Sequence, residues 1–386
     1  MSRPEPFIQL LPRDRRLAGV LWRSGAMSRS QLHRLTGVHP NLVGVTAQRL
    51  IDLGILRDAA PVVEGRGRPS AAMEVDPASR NIVGISIAPG GVEAVRLNLR
   101  GEPLAPPERI AIRSDVDTIN TARKLLTQQI DHKTLAIGVS ITGLIDLRNR
   151  TLLFSSALPE ARDVSLAPLY ESAGDVPVVL DNDQHAVAAW WLLVQRVDPR
   201  EDALLVGLRD GRLGASMLAG GPPNRGCVLA GNELGHTRLP VETPVCYCGH
   251  AGCLERIFST AYLATLGVTR PLARVIAEPG ADAAALAKVI DLLAYGLANA
   301  VNFMRPHRLV VINPFASPLF MGQLDRAIRP RLLPALAERV RIEGAPEPAG
   351  ESVAAAWLGL AWVFHPSWSQ PNGEADVETP PATVDE

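Results

Sequence analysis

Two amphipathic helices are predicted close to the start of the chain. Leu17 and Leu21 recur at the spacing of one helical face, and a first helix should end near Gly25. A second helix should begin at Ser28 and Gln31, which have the spacing of a capping box, since each side chain can bond the backbone N–H of the other. A short turn separates the two helices.

A third helix and two strands complete this segment. Pro40 suits a first helical turn and Gly54 suits a C-terminal cap, so the third helix is predicted between them. Short apolar stretches at 55–57 and 72–75 predict two strands around the loop Gly65-Arg66-Gly67-Arg68-Pro69. This order predicts a winged helix-turn-helix domain, with the third helix as recognition helix and the loop as wing.

Strands alternating with helices follow from about residue 81. Apolar stretches of strand length lie at 82–88, 92–99, 135–141, 176–180, 203–208, 213–219 and 308–312. The alternation predicts an α/β architecture of two lobes. We expect the winged helix-turn-helix at 1–76 and the two-lobed domain at 77–365. A disordered tail is expected at 366–386, where four prolines and five acidic residues occur without a basic one.

Composition and charge favour a nucleic-acid partner for the first domain. The 386 residues, 47% of them hydrophobic, are enough for two or three buried cores. The net charge is −1, but residues 1–70 hold eleven arginines against five acidic residues. No apolar run approaches the roughly 18 residues that span a bilayer, and the first residues do not form a secretory signal, so a cytoplasmic protein is expected.

Five side chains are candidates for contact with double-stranded DNA. Arg66 and Arg68 lie on a loop in which glycines widen the range of backbone conformations, and such a loop can enter a narrow minor groove. Asn41, Thr46 and Gln48 are candidates on the third helix for base edges or phosphates. The alternative role for such a module is dimerisation or docking to another protein. The local positive charge favours DNA, because phosphate neutralisation supplies much of the affinity.

Three of the four cysteines fall within eight residues and predict a metal site. Cys246, Cys248 and Cys253 supply three thiolates, and either His236 or His250 supplies an imidazole. Three sulfurs and one nitrogen form the four-coordinate shell that structural zinc prefers. A disulfide or three buried thiols are the alternatives. In a reducing cytosol, clustered cysteines are more often metal ligands than bridges.

Six motifs then follow one another along the chain: Gly84-Ile85-Ser86-Ile87, Gly138-Val139-Ser140-Ile141-Thr142-Gly143, Leu180-Asp181-Asn182-Asp183, Asn232-Glu233-Leu234-Gly235-His236, the Cys-x-Cys-Gly-x-x-Gly-Cys-Leu-Glu loop, and Gly296-Leu297-Ala298-Asn299. In this order they resemble the ROK family of repressors, open reading frames and kinases, and the first domain is similar to the winged helix of that family's regulators. The resemblance extends from about Arg16 to Phe364. It implies an actin-like, two-lobed sugar-kinase-type (ribonuclease H-like) fold, with a sugar in the cleft and zinc shaping one wall.

The resemblance also implies roles for residues of the cleft. Asp183 matches the catalytic aspartate, which in a kinase accepts the proton of a sugar hydroxyl. Asn182, Glu233 and Glu255 match other sugar-contacting positions. His236 matches the residue that both touches the sugar and binds zinc, which favours it over His250. Acceptors of this kind suit a ligand with several hydroxyl groups.

The nucleotide side departs from the family pattern. The Asp-x-Gly-Gly-Thr of the first hairpin is absent, and Pro89 stands where a backbone N–H should meet phosphate. Leu213 replaces a glycine of the second turn, and Asn313-Pro314 replaces a Gly-Gly pair. These three changes argue against phosphoryl transfer, because positioning the phosphates accounts for most of that catalysis. On the sugar side, Ala157 replaces an asparagine that contacts the sugar in the family, which leaves the identity of the sugar open.

We therefore expect a transcriptional regulator, a repressor, that binds a double-stranded DNA operator as a homodimer or dimer of dimers. A sugar or sugar derivative is the expected effector, structural zinc the only expected cofactor, and no enzymatic activity is expected. The alternative is an ATP-dependent sugar kinase with an appended DNA-binding module. A third possibility is a repressor whose cleft has lost its small ligand and responds to a protein partner.

Overall fold

The computed structural model describes residues 10–62, 70–112, 118–155, 162–195, 201–225, 229–313 and 317–368. Several features of the sequence lie outside these residues, namely the wing with Arg66 and Arg68, Ala157, the fourth cysteine Cys227, Pro314, and residues 369–386 of the predicted tail. The start of the tail at 366 needs correction, because residues 366–368 are described and Trp368 is buried. The described residues form a three-helix domain with a small sheet, followed by two lobes of mixed α/β structure.

The first domain has the predicted three helices and two strands in the predicted order, with one further short strand between the first two helices. It comprises α1 (Pro12–Ser24), β1 (Met27–Ser28), α2 (Arg29–Thr36), α3 (Pro40–Asp52), β2 (Leu56–Val62) and β3 (Ser70–Val75). The three strands pair in the order β1-β3-β2, antiparallel throughout. The capping box is present, since Gln31 N–H donates to Ser28 Oγ over 3.2 Å and Ser28 N–H donates to Gln31 Oε1 over 2.8 Å. The helix boundaries therefore follow from local sequence.

The first lobe contains β4 (Asn81–Ala88), β5 (Gly91–Asn98), β6 (Glu108–Ala111), α4 (Thr118–Gln129), β7 (Thr134–Ile141), β8 (Leu144–Asp146), β9 (Thr151–Phe154), β10 (Arg162–Ser165), α5 (Ala167–Ala173), β11 (Val178–Asn182) and α6 (Asp183–Val194). Its main sheet has the order β11-β7-β4-β5-β6, with β11 and β4 both parallel to β7. A smaller sheet pairs β10-β9-β8 with β14 (Leu229–Ala230). The carboxyl ends of β7 and β11 meet at one edge of the main sheet.

The second lobe contains β12 (Ala203–Arg209), β13 (Arg212–Leu218), α7 (Leu254–Ile257), α8 (Thr260–Thr265), α9 (Leu272–Ala277), α10 (Ala283–Met304), β15 (Arg308–Ile312), α11 (Pro318–Ile328), α12 (Pro334–Ala337) and β16 (Arg341–Ala345). Short 3₁₀ turns lie at Leu234–His236, Gly280–Asp282 and Arg329–Arg331. The sheet order is β13-β12-β15-β16. This lobe has its own hydrophobic core, between the sheet and the surrounding helices.

The last helix, α13 (Glu351–Phe364), is buried along its whole length on the main sheet of the first lobe. Two glycines of the predicted motifs permit this close approach. A Cβ atom at Gly84 would lie 2.1 Å from the Ser352 carbonyl oxygen, and one at Gly138 would lie 1.9 Å from the Ala355 carbonyl oxygen. Any larger residue at either position would push the helix away from the sheet.

The C-terminal end of α13 packs on α1 and thereby holds the winged-helix domain against the first lobe. A Cβ atom at Gly19 would lie 2.1 Å from the Phe364 carbonyl oxygen. The Trp22 ring lies 5.9 Å from the Trp357 ring and 5.8 Å from the Phe364 ring, measured between centroids. Its indole N–H donates to the Leu99 carbonyl oxygen over 2.8 Å. Trp22 therefore attaches the winged-helix domain to the first lobe through both apolar ring contacts and a hydrogen bond.

The helical segment Gly280–Met304, which contains α10, is long and apolar enough to cross a membrane. The expectation that no segment reaches this length and hydropathy therefore needs correction. About half of its apolar window is buried inside the protein, with Leu293 and Leu297 fully buried in the core of the second lobe. Such burial is typical of a core helix that packs on both a sheet and neighbouring helices.

Candidate functional site

One cavity lies between the two lobes, where the carboxyl ends of β7 and β11 face the β12–β13 hairpin. The five residues predicted to contact a sugar all line it, and they are Asn182, Asp183, Glu233, His236 and Glu255. They come from three separate stretches of the chain. The carboxyl ends of parallel strands are the usual place for a ligand site in an α/β sheet.

The start of α6 fixes two of these side chains. Asn182 caps the helix, because its Oδ1 atom accepts the Gln184 backbone N–H over 2.8 Å. Its Nδ2 atom donates to the Gly143 carbonyl oxygen, also over 2.8 Å. The Asp183 carboxylate accepts the Thr142 hydroxyl over 3.2 Å. Thr142 is not among the residues predicted from the sequence. Its position directly after a buried parallel strand is the signal that identifies it.

Three carboxyl groups share the cavity. Burial raises the pKa of Asp183, with the Thr142 hydrogen bond opposing it, and burial and the Asp183 charge raise the pKa of Glu233. Glu255 has a side-chain exposure of only 7%, and burial followed by the Glu233 charge raises its pKa to about 8. Carboxyl groups crowded in this way gain from a ligand whose hydroxyl groups donate hydrogen bonds to them.

The predicted metal ligands lie together next to the cavity. One ligand atom each from His236, Cys246, Cys248 and Cys253 can be chosen so that all four lie within 4.8 Å of one another. The Cys246 Sγ to His236 Nδ1 distance is 3.7 Å, and the Cys248 Sγ to Cys253 Sγ distance is 3.6 Å. Two sulfurs bound tetrahedrally to one zinc ion at about 2.3 Å lie roughly 3.8 Å apart, so the cluster fits zinc.

His250, the alternative imidazole ligand, lies at the edge of this cluster. Its Nδ1 atom is 3.7 Å from Cys248 Sγ, but its side chain is exposed and it does not belong to the four-residue group. His236, in contrast, is half-buried, and burial lowers its pKa. A neutral imidazole is the form that binds a metal ion. The geometry therefore favours His236 as the fourth ligand.

The side of the cavity where the family resemblance implies a nucleotide contains an ion-pair cluster. Arg209, at the end of β12, bonds Glu347 over 2.9 Å and Glu351, the first residue of α13, over 2.9 Å. Two carboxylates here oppose the binding of phosphate groups. Leu213, which replaces a glycine of the second turn, lines the same cavity, and its side chain is 5% exposed and packs in the core of the second lobe. The Arg209 cluster is a further feature that is unfavourable to nucleotide, beside Leu213.

Helix α3, the predicted recognition helix, presents only some of the predicted DNA contacts on its surface. Asn41 and Gln48 are exposed. Thr46 is 1% exposed, so its assignment as a DNA contact is wrong, because it faces the inside of the three-helix bundle. Two apolar residues missed by the sequence prediction share the exposed face, namely Val45, 64% exposed, and Leu42, 44% exposed. Apolar side chains in a major groove contact the methyl group of thymine.

Comparison with known proteins gives the relatives of this chain. The model of the ROK family matches residues 106–366. The xylose repressor of Caldicellulosiruptor bescii is 24% identical over 352 residues, which are 82% of this chain and 87% of the repressor. A crystal structure of a ROK family transcriptional regulator, a homologue of the E. coli Mlc protein, has a TM-score of 0.74 and 19% identity, covering 91% of this chain and 96% of its own.

A ROK family glucokinase from Streptomyces griseus, in complex with glucose and AMPPNP, shares the two lobes. It has a TM-score of 0.57 and 20% identity, covering 72% of this chain and 97% of the glucokinase. The two structural matches confirm the actin-like, two-lobed fold predicted from the sequence. The longer match to the regulator includes more of this chain than the match to the kinase does.

Proposed function

This chain belongs to the ROK family, and on that premise we propose that it is a DNA-binding transcriptional repressor that responds to a sugar or sugar derivative. One observation carries the proposal: a winged-helix domain with an exposed recognition helix is packed on a lobe whose cleft gathers all five predicted sugar contacts. DNA binding and sugar binding would thus be combined in one molecule. The name of the xylose repressor, matched over 82% of this chain, supports the same proposal.

The ligand class follows from the chemistry of the cleft. Asp183, Glu233 and Glu255 offer carboxyl oxygens, and Asn182 and His236 add an amide and an imidazole. An ionised carboxylate only accepts hydrogen bonds, whereas a protonated carboxyl group, the form that the raised pKa of Glu255 favours, both donates and accepts. Both forms match hydroxyl groups, and the ionised members repel an anionic group placed among them. We propose that this end of the cleft holds the uncharged hydroxyl groups of a sugar.

Zinc is proposed as the structural metal of the cleft wall. His236, Cys246, Cys248 and Cys253 would hold it. Zinc bound to four protein ligands has no open position and supplies folding energy rather than chemistry. Its effect on the sugar would be indirect, through the orientation of the His236 ring.

We further propose that the chain does not transfer phosphate. The Arg209 cluster with Glu347 and Glu351 fills the phosphate side with carboxylates, and Pro89 lies in the β4–β5 turn. The alternative, an ATP-dependent sugar kinase with a DNA-binding module, is favoured by one observation, which is that Asp183 is held in the cleft by Thr142. Turnover with ATP separates the two functions.

DNA binding is proposed to occur as a homodimer or dimer of dimers in the cytoplasm. A two-fold operator needs the two copies of α3 about one helical turn apart, roughly 34 Å. Residues 1–76 would form the DNA-binding domain and residues 77–365 the effector domain. Asn41, Val45 and Gln48 of α3, together with Arg66 and Arg68, would contact the duplex, and the arginines would supply phosphate or minor-groove contacts.

Thermal unfolding with a panel of sugars tests this proposal. D-Xylose, D-glucose and N-acetyl-D-mannosamine are each added to the purified protein, with and without ATP and Mg²⁺. A sugar that binds should raise the unfolding temperature, since a ligand at about 100 times its Kd stabilises by ~2.7 kcal/mol. Glu255→Gln should abolish the shift, while the exposed Glu278→Gln should retain it.

Three outcomes distinguish the candidate functions. A shift without ATP turnover supports a sugar-responsive regulator. Phosphorylated sugar that disappears in Asp183→Ala would instead establish a kinase. DNA binding with no response to any sugar in the panel or in a broader set of sugar phosphates would favour a protein partner for the cleft.

A further inference from the structure

A network of buried polar groups lies directly behind the sugar cleft. Asp181, fully buried, precedes the cleft residue Asn182 in β11. Its Oδ1 atom lies 2.6 Å from His185 Nδ1, and its Oδ2 atom accepts from Arg225 Nε over 2.7 Å and also from Arg225 Nη2. The other ring nitrogen of His185 lies 3.2 Å from the side-chain oxygen of Asn232, which lines the cleft. The cleft surface is thus bonded to Arg225.

Arg225 is in turn connected to the segment that follows α13. Its guanidinium lies 5.8 Å from the centre of the Trp368 ring, at the distance of a cation–π contact. The Trp368 carbonyl oxygen accepts Arg15 Nη1 over 2.8 Å. Arg15 belongs to α1, is 2% exposed, and also lies over the Trp362 ring at 5.6 Å. The connection therefore reaches the first helix of the winged-helix domain.

The residue before Arg15 in α1 continues the connection to the recognition helix. Asp14 is fully buried, and its Oδ2 atom accepts Arg49 Nη1 over 2.9 Å. Arg49 lies in α3, on the last turn of that helix. Side-chain contacts therefore run without interruption from Asn232 in the cleft to Trp368, and the two adjacent residues Arg15 and Asp14 extend them to Arg49.

Such a network is costly for stability alone. Burying a charged group costs several kcal/mol, which a single ion pair often only just offsets, and well-packed apolar residues would stabilise as well or better. Although burial by itself would raise the pKa of Asp181, the Arg225 and His185 groups hold it below its ordinary value. Groups kept ionised inside a protein fix the relative positions of the elements that carry them, because their hydrogen bonds have few alternative geometries.

We propose that Arg225, Trp368 and Arg15 form the link through which the state of the sugar cleft alters the position of α1 and α3. This inference rests on the proposed function and names the residues of its regulation. A ligand bonded to Asp183 and Asn232 changes the partners of His185 and the start of α6. Asp181 and Arg225 then shift together, and the shift of Arg225 changes the contact between Trp368 and Arg15. Coupling requires that the ligand favours one of two such arrangements.

The experiment compares DNA affinity with and without sugar in variants of the link. The probes are a duplex selected by the wild-type protein from a random pool and whichever of D-xylose, D-glucose and N-acetyl-D-mannosamine raises its unfolding temperature. Trp368→Leu and Arg15→Met remove link contacts without touching the cleft or the exposed face of α3. Trp190→Leu is the matched control, since Trp190 is partly buried in α6 and lies outside the link.

The expected result is a selective loss of coupling. Wild type and Trp190→Leu should show the same change in Kd on adding sugar, of fivefold or more. Trp368→Leu and Arg15→Met should each reduce that change below twofold, while the sugar-induced thermal shift persists. The double variant should lose no more coupling than either single variant, because both residues serve one link.

Two other results would overturn the inference. Full coupling in folded Trp368→Leu and Arg15→Met would show that the signal travels elsewhere, for instance through α13 itself. If the wild-type protein has the same Kd for DNA with and without sugar, the proposed function is refuted, and this inference with it. The same holds if the wild-type protein binds neither the duplex nor any of the three sugars. The wild-type measurement therefore separates failure of the function from failure of the link.

Discussion

His236 and Glu255 face each other where the metal cluster meets the cleft, with His236 Nε2 3.6 Å from the Glu255 carboxylate. The other ring nitrogen of His236 points to Cys246, 3.7 Å from its Sγ atom. One imidazole therefore belongs to both sites. A metal ligand whose second nitrogen meets a carboxylate is held in one orientation, and its loss affects both partners.

The first prediction is that the protein binds one zinc ion per chain and that zinc supports sugar binding. Cys248→Ala should lose the metal, because a three-ligand site binds zinc far more weakly, and should also weaken the sugar-induced thermal shift. Cys227→Ser is the control, since Cys227 lies outside the motif and outside the described residues. Elemental analysis measures both variants. Equal zinc content in the two would contradict the assignment.

The second prediction concerns Gly44, in the middle of α3. From the sequence, either close approach to DNA or packing against the second helix can explain a glycine there, but a Cβ atom at Gly44 would meet no protein atom within 4 Å. Gly44→Ala should therefore stabilise the helix by up to about 1 kcal/mol and still weaken DNA binding. Gly322→Ala, in α11, is the control: stability should rise without a change in DNA affinity. Unchanged DNA affinity in Gly44→Ala would exclude the duplex as the reason for the glycine.

The third prediction concerns the wing. Replacing Arg66 and Arg68 together by Ala should weaken binding to DNA of any sequence and reduce the slope of log affinity against log salt by about 1 to 2. The thermal shift caused by sugar should not change. Fluorescence anisotropy over a range of salt concentrations measures the slope. A double variant with an unaltered slope would remove both arginines from the DNA interface.

The fourth prediction concerns pH and His365. Both ring nitrogens are buried and have no hydrogen-bond partner among the described residues, and burial, with the nearby Arg23 and Arg15, lowers the pKa to about 4 from 6.5. The unfolded chain takes up the proton first as pH falls, so the free energy of unfolding should decrease between these values, by ~3 kcal/mol at most. Above the ordinary pKa the effect disappears.

Urea unfolding across this pH interval checks the His365 prediction. His365→Phe should flatten the dependence on pH, because the new side chain does not titrate. His132→Phe, at an exposed position, should keep the full dependence. Identical acid sensitivity in wild type and His365→Phe would show that other groups account for it.

Local features of the fold could be predicted from the sequence because neighbouring residues determine them. The Ser28 capping box and the strand at Arg308–Ile312 depend on short stretches of chain, and the cysteine spacing is sufficient to bring three thiols together. The inward direction of Thr46 could not be predicted, because the packing of α1 and α2 decides which face of α3 is buried. Contacts between distant positions, such as Arg209 with Glu351, were likewise beyond the reach of a local pattern.

The most direct test of a sugar-responsive repressor is the Kd of the wild-type protein for its selected DNA duplex, measured with and without the sugar that stabilises it. A sugar that alters DNA affinity by fivefold or more, with the change lost in Asp183→Ala while the sugar-free Kd is retained, is the predicted result. A sugar that binds the cleft with the same Kd for DNA in its presence and absence would contradict the account.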